Sequence, residues 1–163
     1  MLRKLILSLF ALFACIGTAH ADAAQSAANR YSEYVAAIPN AAEMSRLNHF
    51  LSTDTLNARD QYIKRIQSKK NKSRQEVELM LLERAQYAES CVSNRQFLNS
   101  TTPNSYTVIL SYRFEDKCAS NPDAIIATIV DVTMLKQEGT WTIDMVSPRP
   151  EKPLKIRKTI KPQ

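Results

Sequence analysis

Glycine is scarce in this chain of 163 residues, which contains only Gly17 and Gly139. A dinucleotide-binding GxGxxG loop, a P-loop and a GxSxG nucleophile elbow each need several glycines at fixed spacing, because the backbone there approaches a ligand or takes a positive φ. Two glycines so far apart in the chain cannot supply that spacing. The sequence therefore excludes these nucleotide-binding and hydrolase motifs.

Cysteine and histidine are also few. A typical structural zinc site takes its ligands from these residues, and the supply here is too small unless carboxylates or a second chain complete the set. We therefore expect no metal and no cofactor. His49 lies in SRLNHFLS, inside a predicted amphipathic helix with no nucleophile motif beside it. A place on a helix surface or in a pocket lining is favoured over an acid–base role for this histidine.

The N-terminus carries a short apolar stretch. Arg3 and Lys4 precede an uncharged run of about 15 residues, and Ala19-His20-Ala21 fits the small-x-small pattern of signal peptidase sites. The run is shorter than the roughly 20 residues of a spanning helix. We interpret residues 1–21 as a cleaved export signal, which predicts a periplasmic or secreted protein. An uncleaved anchor and a lipoprotein anchored at Cys15, within a loose lipobox, stay open as alternatives.

Positive charge is concentrated at the C-terminus. The whole chain carries +6, and removal of the signal leaves +4. Residues 149–163 have six basic side chains against Glu151, so the body over 22–148 is close to neutral at −1. A near-neutral body without interleaved basic and aromatic residues argues against nucleic acid as a partner.

The segment 148–163 reads as a basic, proline-rich tail outside the domain. It could dock onto an anionic membrane or polymer, helped by a second basic cluster over 64–74. Solvated charge that aids solubility is the alternative interpretation of both clusters. The candidate docking residues of the tail are Lys152, Lys155, Arg157, Lys158 and Lys161.

Helical periodicity dominates the first half of the domain. One apolar stripe, which ends at Pro39, comprises Ala27, Tyr31, Tyr34, Val35 and Ile38. Asn40 with Glu43, and Ser73 with Glu76, have the spacing of capping boxes, and each predicts the start of a further helix. Ser52-Thr53-Asp54 supplies another cap.

The second half changes to the period-two alternation of strands. A less regular strand is predicted over 89–98, followed by strands over 106–114, 124–136 and 140–146, the last with Trp141, Ile143 and Met145 on one side. The turns between them are short. The order predicts one α+β domain over 22–147, with N-terminal helices packed on a four-stranded antiparallel meander.

Cys91 and Cys118 are the two cysteines outside the export signal. They could form a disulfide, a redox pair or half of a metal site. Opposed residues in an antiparallel hairpin have a constant index sum, and this pair places the turn between Asn104 and Ser105, inside the strong turn signal TTPNSY. The two side chains would then face each other, so a disulfide is favoured.

The layout resembles the NTF2-like (cystatin-like α+β) superfamily, and in particular its small exported bacterial domains. The likeness lies in the element order, in FLSTDTLNARDQYIKRI (50–66) and in the tryptophan strand TWTIDMV (140–146). It implies a curved sheet wrapped around the helices as a cone, with a pocket at its mouth. Candidate residues for that pocket or for an interface are Tyr31, Tyr34, His49, Tyr112 and Trp141.

The resembled family contains pocket enzymes and non-catalytic binding domains, and no catalytic motif of theirs is found here. We therefore expect a non-enzymatic binding or accessory protein of the bacterial periplasm or cell envelope, with an envelope protein or a small apolar ligand as its partner. The alternative is a pocket enzyme that uses an Asp or His49 as acid or base. Asp131 and Asp144 lie on strands, where a solvated sheet face is the simpler interpretation.

Overall fold

The computed structural model describes residues 21–118 and 126–150, which form helices followed by one sheet. Helix α1 covers 21–37 of the described part. Two 3₁₀ helices (Ile38–Asn40 and Met44–Phe50) lead to α2 (Thr53–Lys70) and α3 (Arg74–Cys91). The strands are β1 (Val92–Asn104), β2 (Thr107–Asp116), β3 (Ile126–Gln137) and β4 (Thr140–Pro150). They pair antiparallel in the order β1-β2-β3-β4, so the α+β class and the four-stranded meander are confirmed.

Helix α1 packs its predicted stripe against the sheet. Ala27, Tyr31 and Val35 are buried in one cluster with the inner side chains of β2, β3 and β4. The helix gives way to a 3₁₀ turn that carries Pro39, because proline has no N–H to continue the ladder. A smaller cluster of Ile38, Leu47 and Leu82 joins the 3₁₀ segments to α3.

Serine caps start both long helices. The hydroxyl of Ser52 accepts from the N–H of Thr55, and Ser73 forms a complete capping box with Glu76. The box expected at Asn40 and Glu43 is wrong. The Asn40 amide bonds to the carbonyl of Ala36 instead, and the segment after it winds as a 3₁₀ helix whose buried residues anchor it to the core.

The predicted first strand begins too early, because α3 continues to Cys91 before β1 starts at Val92. The turn of this hairpin also lies one position later, at Ser105 and Tyr106. Three register shifts in the β1–β2 pairing account for the difference, since each changes the index sum of opposed residues.

A bulge at Asp144 reshapes β4. Thr133 pairs with Met145, whereas the adjacent Met134 pairs with Ile143, so Asp144 is the extra residue. Trp141 and Ile143 are buried as predicted, but Met145 is 55% exposed, because the bulge ends the alternation. The strand then stays paired with β3 as far as Pro150, three residues into the segment assigned to the tail.

Candidate functional site

The disulfide between Cys91 and Cys118 is present, which confirms the pairing inferred from the hairpin. Its two Cα atoms are 5.2 Å apart. Cys91 is the last residue of α3, and Cys118 follows the end of β2. The N–H of Lys117 donates to the carbonyl of Cys91 at 2.9 Å, so a backbone hydrogen bond ties the same two segments. The helix end and the strand end are therefore held together twice.

A cleft of about 390 Å³ opens beside this link, and we call it the disulfide cleft. Its apolar surface comes from Ala88, Val92 and Phe114, together with the buried Cys91. The remaining lining residues are Arg84, Tyr87, Glu115, Asp116, Cys118 and Thr128. The cleft thus combines an apolar floor with a rim of polar groups that converge from α3, β2 and β3, an arrangement typical of ligand sites.

Two polar side chains of α3 on this rim are free to meet a ligand. Arg84 and Tyr87 are exposed, and neither side chain makes a hydrogen bond or ion pair with a described residue. Asp116 has a local partner, because its Oδ1 accepts from the N–H of Cys118 at 2.7 Å. The rim therefore offers one guanidinium, one phenol and carboxylates at its strand side.

Sequence reasoning missed this cleft. Helical spacing from Val77 predicts that Ala88 faces the core, but Ala88 is exposed and lines the cleft, whereas Leu82 is buried in the same helix. The spacing of Arg84, Tyr87, Ala88 and Cys91 at intervals of three and four does place them on one helix face. This helix face becomes one wall of a cleft only because β2 and β3, which follow later in the chain, supply the other lining residues.

The predicted pocket residues gather elsewhere, in an aromatic cluster between α1 and the sheet. The ring centroids of Tyr31 and Tyr112 are 5.1 Å apart, and those of Tyr34 and Phe50 are 5.6 Å apart. Tyr31, Tyr112 and Trp141 are buried, Tyr34 is half-buried, and the exposed His49 touches the cluster through Phe50. None of these five predicted residues lines the disulfide cleft.

Burial determines the ionisation of these phenols. It raises the pKa of Tyr31, Tyr34 and Tyr112 above the ordinary value of 10.0, because a phenolate would lose its hydration in the core. These phenols therefore remain neutral at a pH at which a solvent-exposed tyrosine would ionise.

An ion pair connects the aromatic cluster to the cleft. Arg95 Nη2 bonds both carboxylate oxygens of Glu89, at 2.9 and 2.7 Å, and both side chains are largely shielded from solvent. The same guanidinium lies 4.9 Å from the ring centroid of Phe114, which also contacts Tyr112. Because Phe114 lines the cleft, the cleft floor continues directly into the packed core.

The carboxylates of Asp131 and Asp144 make hydrogen bonds that stabilise the fold. Asp131 accepts from the hydroxyl of Ser111 at 2.7 Å, and Asp144 accepts from the hydroxyl of Ser52 at 2.8 Å. Both aspartates are half-buried, which differs from the fully solvated sheet face expected for them. Neither lies in the lining of the disulfide cleft.

The basic cluster over 64–74 contains two groups, apart from Arg65, whose guanidinium lies 5.2 Å from the ring centroid of Tyr62. Lys64 and Arg74 both pair with Asp60, at 2.8 and 2.6 Å, so these two cations are part of the α2–α3 packing. The other group, which we call the lysine tip, lies at the end of α2 and in the turn after it; its members are Lys69, Lys70 and Lys72. They are exposed and form no ion pair with a described residue. The candidate docking residues of the tail, 152–161, lie outside the described residues.

A second hollow of about 400 Å³ borders the 3₁₀ segments and is lined by Ala37, Asn40, Ala41, Ala42, Arg46 and Leu47. Three of its lining residues are alanines, and the Asn40 side chain already bonds to the backbone. Fewer polar groups converge there than at the disulfide cleft, which is therefore the better candidate site.

No family model, curated protein or solved structure matches this chain. Within the residues that the structure describes, no helix is both long and apolar enough to cross a membrane.

Proposed function

We propose that this chain is an exported, non-enzymatic binding protein of the bacterial periplasm or cell envelope, which holds a small apolar ligand in the disulfide cleft. The observation that carries the proposal is the cleft itself, with an apolar floor and a rim on which the side chains of Arg84 and Tyr87 have no hydrogen-bond partner among the described residues. Its volume of about 390 Å³ lies in the range of small-molecule sites. An apolar group on the floor would leave water, while Arg84 and Tyr87 would orient its polar end.

The export assignment rests on the N-terminal pattern of residues 1–21 and agrees with a disulfide, which persists in oxidising compartments. The NTF2-like assignment is also part of the proposal. Helices that precede an antiparallel meander, and α1 packed on one face of that sheet, support it.

A binding role is favoured over the pocket enzyme by the positions of the acid–base candidates. His49 is exposed on the second 3₁₀ helix, and both Asp131 and Asp144 bond to serines. An acid or base must come within hydrogen-bond reach of the substrate proton. A ligand in the disulfide cleft would meet none of these three residues. The carboxylates that do line the cleft are Glu115 and Asp116, and Asp116 is exposed and bonds to the N–H of Cys118.

Ligand binding can be tested with anilinonaphthalene sulfonate, a fluorescent probe that has an apolar ring system and an anionic group for Arg84. We expect saturable binding that changes the NMR chemical shifts of the cleft residues. Ala88→Leu fills the cleft from an exposed helix position and should abolish this binding. Ala58→Leu, at an exposed position of α2, is the matched control and should leave it unchanged. Equal binding by both variants would refute the cleft as the site.

The lysine tip favours a second candidate function, electrostatic docking to an anionic membrane. The three lysines, which form no ion pair within the part of the chain that the structure describes, can each add about 1 kcal/mol of attraction near anionic lipid. A chain truncated after Pro150 retains all of β4, whereas a cut at Ser147 would remove paired strand residues. If docking operates, truncation together with charge-neutral replacements of the three lysines should abolish salt-sensitive binding to phosphatidylserine vesicles. Unchanged binding would exclude it.

A further inference from the structure

We propose that reduction of the Cys91–Cys118 disulfide creates a zinc site formed by the two thiolates and the carboxylate of Asp116. The two sulfurs and a carboxylate oxygen of Asp116 lie within 4.8 Å of one another. A tetrahedral zinc ion, with Zn–S bonds of about 2.3 Å, holds its ligand atoms roughly 3.5–3.9 Å apart. Once the covalent bond is cleaved, small side-chain rotations are enough to bring the three atoms to that spacing.

The backbone keeps these ligands together without the disulfide. The hydrogen bond from Lys117 N–H to the Cys91 carbonyl and the pairing of Val92 with Asp116 do not involve sulfur. They fix the end of α3 against the end of β2. A site whose ligands are already held close loses less entropy on metal binding than one assembled from a mobile chain.

Asp116 is suited to be the third protein ligand of the zinc ion. Its Oδ1 accepts from the N–H of Cys118, which orients the carboxylate and leaves Oδ2 available to a metal. Cys118 and Asp116 are exposed at the cleft, so a reductant and an ion can both reach the site. The fourth position would open into the disulfide cleft, where water or a ligand could occupy it.

The reaction requires a dithiol reductant. The dithiol delivers two electrons and two protons to the disulfide and becomes a disulfide itself, leaving Cys91 and Cys118 as thiols. Zn²⁺ then displaces both thiol protons, because the thiolate is the metal ligand. Two thiolates and one carboxylate with an open position match the preferences of zinc. A disulfide oxidant would accept two electrons from the thiolates, re-form the Cys91–Cys118 bond and release the ion, so the site would report the redox state of its surroundings.

The test uses the protein with Cys15→Ser, so that Cys91 and Cys118 are the only thiols in the sequence. After reduction with a dithiol and removal of the reductant, Co²⁺ should produce thiolate charge-transfer and tetrahedral d–d absorption with one ion per chain, and Zn²⁺ should displace it. The oxidised protein should give no such absorption. Asp116→Asn preserves the acceptor for Cys118 N–H and should weaken Zn²⁺ binding at least tenfold, or about 1.4 kcal/mol.

Circular dichroism of the reduced, metal-free protein separates loss of folding from loss of ligands. A folded reduced protein that gives no Co²⁺ absorption would overturn the proposal, as would equal Zn²⁺ affinity in the wild type and in Asp116→Asn. If reduction unfolds the chain, Zn²⁺ should restore the helical signal in the wild type. A reduced, unfolded wild type whose helical signal Zn²⁺ does not restore would also overturn the zinc-site proposal. Binding of anilinonaphthalene sulfonate by the oxidised protein is a separate measurement, so the two proposals can fail independently.

Discussion

The hydroxyl of Ser52 donates a hydrogen bond of 2.8 Å to the carboxylate of Asp144, which lies 92 positions later in the chain. Ser52 is the fully buried N-cap of α2, and Asp144 is the bulged residue of β4. The hydroxyl of Thr55 donates to the backbone carbonyl of the same Asp144. The cap of a helix and the irregularity of a strand therefore form one polar joint between the two halves of the fold.

Replacement of this serine should be unusually destabilising. Ser52→Ala removes the N-cap, which costs about 1 kcal/mol, and it also leaves Asp144 without its serine donor, a further loss of about 1–2 kcal/mol. Ser73→Ala is the matched control, since both serines cap a helix with the same backbone angles, φ −66° and ψ 159°. Ser73 is exposed, so this change should lower the free energy of unfolding by only about 1 kcal/mol. Urea unfolding of both variants measures the difference. Equal losses in the free energy of unfolding would show that the Ser52–Asp144 hydrogen bond adds no stability.

Two substitutions in the turn between β3 and β4 should change the free energy of unfolding in opposite directions. Glu138 and Gly139 both have positive φ, at 49° and 83°, and a non-glycine residue in that region is disfavoured by roughly 1–2 kcal/mol. Glu138→Gly should therefore raise the free energy of unfolding by about 0.5–1 kcal/mol. Gly139→Ala should lower it by about 1 kcal/mol through conformation alone, because a Cβ there would meet no atom within 4 Å. Thermal unfolding of the two variants checks the signs, and a shift in the same direction for both would contradict the turn geometry.

Local signals in the sequence predicted those features that neighbouring residues determine. Pro39 ends α1, and Ser73 with Glu76 starts α3. Each depends on chemistry within a few positions, such as a missing N–H or a reciprocal cap. These features therefore follow from the sequence without knowledge of the fold.

Features that depend on distant contacts were missed. Asn40 and Glu43 have the spacing of a capping box for an α-helix. The following segment is instead a 3₁₀ helix that buries Leu47 and Phe50. The exposure of Met145 follows from the bulge beside it, which no pattern in TWTIDMV reveals. The disulfide cleft needs the end of α3 and the ends of β2 and β3 at one place, and only the register of the sheet brings them together.

The α2–α3 pair should carry an acid-sensitive contribution at Asp60. Hydrogen bonds from Lys64 and Arg74 lower the pKa of this carboxyl below its ordinary value of 3.8. The stabilisation is therefore present above pH 3.8 and is lost as the pH falls through the lowered pKa, where the folded state also takes up the proton. Asp60→Asn should reduce the urea midpoint near neutral pH, and the difference from the wild type should close in strong acid. Glu83→Gln removes an exposed carboxylate without a partner among the described residues; it is the control and should leave the urea midpoint near neutral pH close to that of the wild type.

Removal of the disulfide should reduce stability while the fold persists. The link closes a loop over a sequence separation of 27, for which the chain-entropy model gives about 3–4 kcal/mol. The double variant Cys91→Ala and Cys118→Ala should lose this amount in urea unfolding, yet retain the circular dichroism of the wild type, because the β1–β2 pairing and the Lys117–Cys91 hydrogen bond remain. Mass spectrometry of the untreated protein should show the 91–118 link and a gain of two hydrogens on reduction. Two free thiols in the exported protein would contradict the pairing, and a loss well under 1 kcal/mol would mean that the paired strands alone hold the helix end in place.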